Sequence, residues 1–400
     1  GPRRDGRVQE AVRRPSPNLD LAGRAQVRRI GRGAPFTVGS GAEGIEGDYV
    51  LENAFSLFVI GDAQRTGPSP LYAGALVDAA MQGGEDCLRV FAPDLGGGAL
   101  PTVRYRRVTV VVPEAQDSDA VVLAEGVWVR DERVGVRTQY RLSPGIPSLL
   151  IATTVENGGD ERLNRLTLGD VLCHGRTERF SEGIGLHPTG RSGQSGWLSM
   201  FSGPWAWGVY AGAGTTMQVA HEGHLSRLLY VEHTIPPGES RTYRRRVLPT
   251  FGGVAAVAEH MLNLTAAPMG ELAVTLCDRA TEEPVPAAHV ILRSENAGPV
   301  CLLTTDAKGR GVARVREGAY RMSGAAPGRP PFDVPVGVQR DRRTSMTAKL
   351  APQGRLRILV RQSAAQGGRP TCARITIARA DEQTPPPGEG PYWSDLITPQ

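Results

Sequence analysis

Apolar and polar residues alternate along much of residues 48–251, and a period of two is typical of strands that bury one face. Val134–Leu142 alternates regularly, Arg107–Pro113 is rich in β-branched residues, and Ser148–Glu156 is a nearly continuous apolar run. Turn-forming residues such as Asn157–Asp160 separate these segments. About ten such segments with no helical pattern between them predict a large sandwich rather than a parallel α/β sheet.

A second series of shorter strand segments begins after residue 270. Its clearest signals are the T-D-x-x-G turn at Thr305–Gly309 and the G-x-Y sequence at Gly318–Tyr320. Asp and Gly favour a tight hairpin turn, and the tyrosine ring is suited to fill a small core while its hydroxyl stays hydrated. Gly354–Arg379 starts the same pattern but reaches Gln400 without the T-D-x-x-G turn.

These patterns predict an all-β chain, in which a large sandwich is followed by one complete and one truncated small β-sandwich. The expected segments are a disordered, arginine-rich leader or linker (1–40), the large sandwich (41–252), a connector with helical character (253–269), a small sandwich (270–351) and the truncated start of another (352–400).

Composition supports short strands joined by turns, because the 400 residues include 50 Gly and 31 Pro. The net charge is +5, and residues 1–35 contribute nine Arg against three acidic residues, or +6, which leaves −1 for the remainder. The leader has no aromatic residue before Phe36, so a flexible linker is favoured over a nucleic-acid-binding element. No apolar run approaches the ~20 residues that span a bilayer, so no transmembrane segment is expected.

The five cysteines are dispersed, and no two form a C-x-x-C motif, which excludes zinc-ribbon and thioredoxin-like sites. Buried thiols are expected, and only Cys277 and Cys301 lie close enough in one predicted domain to test for a disulfide. The chain also lacks a Walker A motif, H-E-x-x-H and G-x-S-x-G. No cofactor is expected in this chain.

Several segments resemble the amino-terminal region of bacterial CehA/McbA-type proteins. They are D-Y-V-L-E-N at Asp48–Asn53, the Gly74–Ala79 segment, T-V-E-N at Thr154–Asn157 and L-G-D at Leu168–Asp170. The resemblance implies a galactose-mutarotase-like supersandwich, and residues 270–350 resemble carboxypeptidase regulatory-like, or prealbumin-like, domains. Proteins of that type carry a carboxy-terminal PHP metallohydrolase domain. Its D-x-H-x-H motif does not occur here, so a hydrolase domain is expected only beyond Gln400.

One candidate metal site contains His221 and His224, in the sequence H-E-G-H. Imidazoles bind metals when the backbone places them on one side. Residues three apart on a strand face opposite ways, so these two share a site only if the chain turns at Gly223. The alternative is a solvent-exposed hairpin.

A candidate catalytic cluster follows the strand that ends near Cys173. Asp170, His174 and Glu178 offer an imidazole and two carboxylates for acid–base chemistry on a sugar, and Arg176 offers a cation for ligand binding. Structural hydrogen bonds and ion pairs around a loop explain the same residues without catalysis.

The densest aromatic group contains Trp197, Trp205 and Trp207, and it suits a carbohydrate-binding platform or a buried core. Trp205 and Trp207 lie two residues apart, so on a strand they face the same side.

The leading hypothesis is a non-catalytic, extracytoplasmic bacterial array of β-sandwiches. It binds or positions a carbohydrate or small-molecule substrate for a metallohydrolase domain of the same polypeptide. The first alternative is a mutarotase- or lyase-like enzyme that uses Asp170, His174 and Glu178. The second is a structural spacer in an envelope protein.

Overall fold

Strands and short turns make up nearly all of the described chain, as the alternating pattern predicts. The structure is a computed structural model, and it describes residues 15–33, 39, 41–65, 70–86, 88–98, 100–111, 119–174, 177–186, 192–212, 214–326 and 329–352. The all-β prediction is confirmed. The predicted third unit, residues 352–400, lies outside this range except for Pro352.

The large sandwich contains eighteen strands within the described residues. They are β1 (Ala25–Arg29), β2 (Tyr49–Asn53), β3 (Ser56–Ile60), β4 (Leu76–Met81), β5 (Val90–Leu95), β6 (Val103–Val111), β7 (Ala120–Trp128), β8 (Asp131–Leu142), β9 (Leu149–Asn157), β10 (Leu163–Cys173), β11 (Glu178–Ser181), β12 (Gly185–Leu186), β13 (Ser192–Ser195), β14 (Trp197–Ser202), β15 (Trp205–Tyr210), β16 (Met217–Glu222), β17 (Leu225–Ile235) and β18 (Ser240–Phe251).

These strands form two nine-stranded sheets. The first sheet has the order β1-β2-β3-β4-β5-β10-β17-β16-β13, and the second has the order β12-β11-β14-β15-β18-β9-β8-β7-β6. The inward residues of both sheets share one core. On β8, alternate residues point into this core, and Val134, Val136, Tyr140 and Leu142 are all buried there. The intervening residues of β8 are half-buried or exposed, which is the alternation read from the sequence.

The large sandwich begins earlier than predicted, because β1 lies inside the expected disordered leader. β1 pairs antiparallel with β2 from Ala25↔Asn53 to Arg29↔Tyr49. Its arginines meet carboxylates: Arg28 Nε lies 2.9 Å from Glu52 Oε1. Arginines that suggested a flexible linker therefore neutralise acids at the edge of the sheet. Residues 1–14 lie outside the described part of the chain.

The predicted helical connector is α1 (Gly253–Leu264). It packs on the outer face of the second sheet, and its buried residues Val254 and Val257 share one apolar cluster with Trp197 of β14 and Leu302 of the small sandwich. The helix therefore packs between the two sandwiches. No helix in the described residues is both long and apolar enough to span a membrane.

The small sandwich follows with seven strands in the described residues. They are β19 (Met269–Asp278), β20 (His289–Ser294), β21 (Gly298–Thr304), β22 (Arg310–Arg316), β23 (Gly318–Ala325), β24 (Phe332–Val338) and β25 (Arg343–Leu350). One sheet has the order β22-β19-β25, and the other has the order β21-β20-β23-β24. The two sheets together form a small sandwich over Met269–Leu350.

The T-D-x-x-G segment forms the predicted tight turn, but the turn joins β21 to β22 across the two sheets and does not close a hairpin. The tyrosine ring fills the core as predicted, whereas its hydroxyl binds a backbone carbonyl. The Asp306 carboxylate accepts hydrogen bonds from the backbone N–H groups of Lys308 and Arg310, both at 2.8 Å. Gly309 has a φ of +68°, in the left-handed region that favours glycine. The ring of Tyr320 lies in the core of the small sandwich, and its hydroxyl donates to Arg316 O at 2.6 Å.

Cys277 and Cys301 are free thiols, so the disulfide considered from the sequence does not form. They lie on different sheets, with Cys277 on β19 and Cys301 on β21. Cys301 is fully buried, and burial raises the pKa of its thiol to about 12. Cys87 and Cys372 lie outside the described residues.

The contact between α1 and the second sheet yields a stability prediction. A Cβ at Gly208 would lie 2.6 Å from Cγ1 of Val257, whose branched side chain is stiff. We therefore expect Gly208→Ala to reduce the free energy of unfolding by roughly 1–3 kcal/mol through overpacking. Urea denaturation measures this loss.

Gly135→Ala is the matched control on β8 of the same sheet. A Cβ there meets nothing closer than 3.8 Å, so we expect little change in stability. Equal effects of the two substitutions would contradict the close packing of α1 on β15.

Candidate functional site

Asp170 lies in the centre of the large sandwich, where it pairs with an arginine from the opposite sheet. Its Oδ1 lies 2.5 Å from Nη2 of Arg245, and both side chains are 0% exposed. Tyr230 donates its hydroxyl to Oδ2 of Asp170 at 2.8 Å, and Nη1 of Arg245 donates to Oγ1 of Thr153 at 2.7 Å. Both carboxylate oxygens are therefore occupied by partners from the protein itself.

The environment of this pair is dry and aromatic. Cζ of Arg245 lies 4.6 Å from the ring centroid of Tyr243 and 5.4 Å from that of Phe91. Burial raises the pKa of Asp170 to about 6, although the neighbouring guanidinium lowers it. The network joins the two sheets and leaves no group facing solvent. The network therefore stabilises the fold and is not an open catalytic site.

His174 has a different partner from Asp170. The residue is 3% exposed, and its Nε2 lies 2.6 Å from Nη1 of Arg179, which is 6% exposed. Because a guanidinium only donates, Nε2 accepts this hydrogen bond and the ring is neutral. Arg179 was not identified as a site residue from the sequence.

Glu178 is the third member of the predicted cluster, and it faces away from the other two. Its side chain is 49% exposed, and Oε2 lies 3.5 Å from Nε2 of His289 on the small sandwich. Asp170, His174 and Glu178 thus have three separate sets of partners, and the contacts do not bring them together. Arg176 lies outside the described residues.

The two proposed metal ligands lie in the hairpin between β16 and β17, where one is buried and the other is exposed. His221 is 3% exposed, with Nδ1 2.6 Å from Oγ of Ser226. His224 is exposed in the turn after Gly223, and its carbonyl accepts a hydrogen bond from the His174 N–H at 3.1 Å. Within the described part of the chain, no group of three or more His, Cys, Asp or Glu side chains is arranged to hold a metal ion.

The three candidate tryptophans are buried, so they form no exposed platform for sugar stacking. Trp197 is 2% exposed and lies under α1, Trp207 is 0% exposed in the main core, and Trp205 is 7% exposed. Trp205 packs edge-on against Phe251, with centroids 5.0 Å apart. These tryptophans are therefore buried core residues and not a carbohydrate-binding platform.

The open surface of the second sheet is a basic face that the sequence did not reveal. The strands β6, β7, β8, β9 and β18 are neighbours, and their outward residues align in four rows. The rows are Arg104-Val127-Gly135-Glu156-Ser240, Arg107-Glu125-Arg137-Thr154-Thr242, Thr109-Leu123-Gln139-Ala152-Arg244 and Val111-Val121-Arg141-Leu150-Arg246. We call these twenty residues the arginine face.

Charge on the arginine face is unbalanced. Six arginines stand against two glutamates, a difference of +4, on an area of roughly 20 Å by 20 Å from ordinary strand spacings. Arg107 and Arg137 share the single carboxylate of Glu125. Arg104 pairs with Glu132 beside the face, and Arg141 has Nη1 3.3 Å from Asp119 Oδ2 at the rim. In the described residues, Arg244 has no carboxylate within 4 Å.

Between the arginines lie hydroxyl and amide groups. Thr154 and Thr242 are hydrogen-bonded through their Oγ1 atoms at 2.7 Å, and Gln139 and Ser240 also face outward. No aromatic side chain is among the twenty residues. The face therefore offers charge and hydrogen-bonding groups, but no surface for ring stacking.

Comparisons with known proteins give weak matches to solved structures. No protein-family model matches the chain, and no curated protein matches it. A TPR-domain containing protein from Parabacteroides distasonis is 11% identical, with a TM-score of 0.38, and the match covers 51% of this chain and 47% of that one.

Two further structures are each similar over about half of the chain. A galactose mutarotase-like protein from Lactobacillus casei has 10% identity and a TM-score of 0.33, covering 51% of this chain and 100% of that one. An alpha-galactosidase from Lactobacillus brevis has 9% identity and a TM-score of 0.34, covering 57% and 41%. The chain thus spans less than half the length of the TPR-domain protein and of the galactosidase. At these identities and TM-scores, the likeness assigns neither a ligand nor an activity.

The central ion pair leads to a second stability prediction. Asp170→Asn leaves Arg245 buried without a counter-charge, and we expect a loss of roughly 3–5 kcal/mol in the free energy of unfolding. The double variant D170L/R245M, which removes both charges, is expected to lose less than the sum of the two single changes.

Asp333→Asn is the control, because its pair with Arg321 is half-exposed. Such surface pairs contribute about 0–1 kcal/mol. Urea denaturation of all the variants gives the comparison. If Asp170→Asn lowered the free energy of unfolding by no more than Asp333→Asn does, the central pair would not hold the two sheets together.

Proposed function

We propose that this protein is a non-catalytic, extracytoplasmic binding module, and that its ligand is an acidic polysaccharide held on the arginine face. The single observation that carries the proposal is the +4 charge difference among the twenty aligned outward residues. A fixed surface with an excess of one charge attracts and orients a polymer of the opposite charge. Carboxylates on successive sugar units supply that charge at intervals along a flexible chain.

The uncharged residues of the face favour a polysaccharide over other polyanions. Thr154, Thr242, Gln139 and Ser240 offer hydroxyl and amide groups that match the hydroxyls of sugars. Single-stranded nucleic acid is usually held by stacking on aromatic side chains, which the face lacks. A flat sheet surface also lacks an element that enters a duplex groove.

The proposal includes a partner in the same polypeptide. We infer that the module presents its ligand to a metallohydrolase domain outside these residues, as the resemblance to CehA/McbA-type proteins implies. The shared core around α1 supports this role, because a binding face fixed to a rigid body holds a polymer in one orientation.

The enzyme alternative has less support, because the candidate acid–base residues have separate partners. Asp170 binds Arg245, His174 binds Arg179, and Glu178 faces His289. Acid–base catalysis needs its groups within reach of one reacting atom. A structural spacer remains the alternative if the arginine face binds nothing.

Binding to polygalacturonate tests the proposal. We expect the protein to bind this uronic acid polymer with an affinity that falls steeply as salt rises, because exposed charges are screened. The double variant R141E/R244E should reduce the affinity at least tenfold. Calorimetric titration at two salt concentrations measures both effects.

The matched control is R293E/R310E, which makes the same charge change at two exposed positions of the small sandwich. It should bind as the unmodified protein does. Neutral dextran should not bind, and DNA of equal charge should bind more weakly. Absence of polygalacturonate binding would overturn the proposal and leave the spacer, and stronger binding to DNA would overturn the choice of ligand.

A further inference from the structure

Arg179 is a buried cation that has no counter-charge among the described residues. It is 6% exposed, and no carboxylate of the described chain lies within 4 Å of it. Other shielded arginines differ from it, because each contacts an acid. These pairs are Arg65–Asp48, Arg227–Asp94, Arg245–Asp170 and Arg329–Asp278, in which the arginine side chains are at most 16% exposed.

The contacts of Arg179 do not replace the missing charge. Its nearest polar partner is Nε2 of His174 at 2.6 Å, which accepts the hydrogen bond as a neutral imidazole. Nε of Arg179 has no hydrogen-bond partner in the described residues. Burial lowers the pKa of this guanidinium, so the site is unfavourable for the charge that it carries.

A second donor lies on the same face of the strand. Ser181 is two residues beyond Arg179 on β11, so both side chains point into the sandwich. Ser181 is 0% exposed, and its Oγ has no hydrogen-bond partner in the described residues. Two buried donors with unused hydrogen-bonding capacity therefore lie on one side of β11.

This place is close to the surface of the molecule. Thr177 is half-buried and Glu178 is exposed, so β11 enters the sandwich from solvent just before Arg179. The side chain of Glu178 points away toward His289 and does not compete for the guanidinium. Among the described residues, the fold thus supplies a buried cation and a buried hydroxyl next to an exposed residue, but no anion.

We propose that Arg179 and Ser181 form a binding site for a small oxyanion, either a carboxylate or a phosphate, at this end of the large sandwich. The anion accepts hydrogen bonds from the guanidinium and the hydroxyl and neutralises the buried charge. His174 holds the guanidinium from its other side and acts as a positioning residue. The site is separate from the arginine face and does not depend on polysaccharide binding.

Calorimetric titration of the whole chain with inorganic phosphate and, separately, with monomeric galacturonate tests the site. We expect one of the two to bind at one site per chain. Arg179→Met should weaken that binding at least tenfold while keeping the apolar volume of the side chain. Ser181→Ala, which removes one donor and no charge, should weaken it by a smaller factor of at least threefold.

Arg310→Met is the control, because it removes an exposed arginine from the small sandwich. It should bind the anion unchanged. If Arg179→Met does not fold, Ser181→Ala and the rise of the melting temperature with anion concentration decide the question. The proposal would be overturned if neither anion bound to the protein. It would also be overturned if Arg179→Met bound the anion unchanged. If that variant does not fold, unchanged binding in Ser181→Ala would have the same consequence.

Discussion

The apolar contact of α1 with the outer face of the second sheet is the interaction on which the arrangement depends. Gly208 has no side chain, and that allows Val257 to lie against the backbone of β15, so the helix approaches the sheet closely. One half of the outer face, with Trp197 and Tyr210, is thereby buried together with the small sandwich. The other half is the arginine face, whose outward residues include six arginines and six apolar residues but no aromatic one.

This division explains which predictions the sequence supported. Alternation shows which residues share one face of a strand, and it correctly placed Trp205 and Trp207 on the same side of β15. It carries no information on what covers that side. The tryptophans therefore suited a binding platform as well as a core until the packing of α1 and of the opposite sheet was known. The T-D-x-x-G turn was predictable because its hydrogen bonds are local.

The distribution of charge over the structure was harder to predict than the fold, because it depends on which distant strands pair. The sequence placed the basic excess in residues 1–35, yet part of that segment is β1, whose arginines pair with acids. The arginine face combines residues from Arg104 to Arg246, and only the register of five strands brings them together. Asp170 likewise finds Arg245 across the sandwich, 75 positions along the chain.

The large sandwich buries two guanidinium groups, those of Arg245 and Arg179, in different surroundings. Arg245 is surrounded by a carboxylate, a threonine hydroxyl and two aromatic rings, so its charge is balanced by residues that the fold provides. Arg179 has a neutral imidazole as its partner, and no carboxylate of the described residues lies within 4 Å of it. Burial of an unbalanced charge is costly, and an apolar residue at this position would avoid that cost. A cation kept there in spite of it is best explained by an anion that comes from outside the chain.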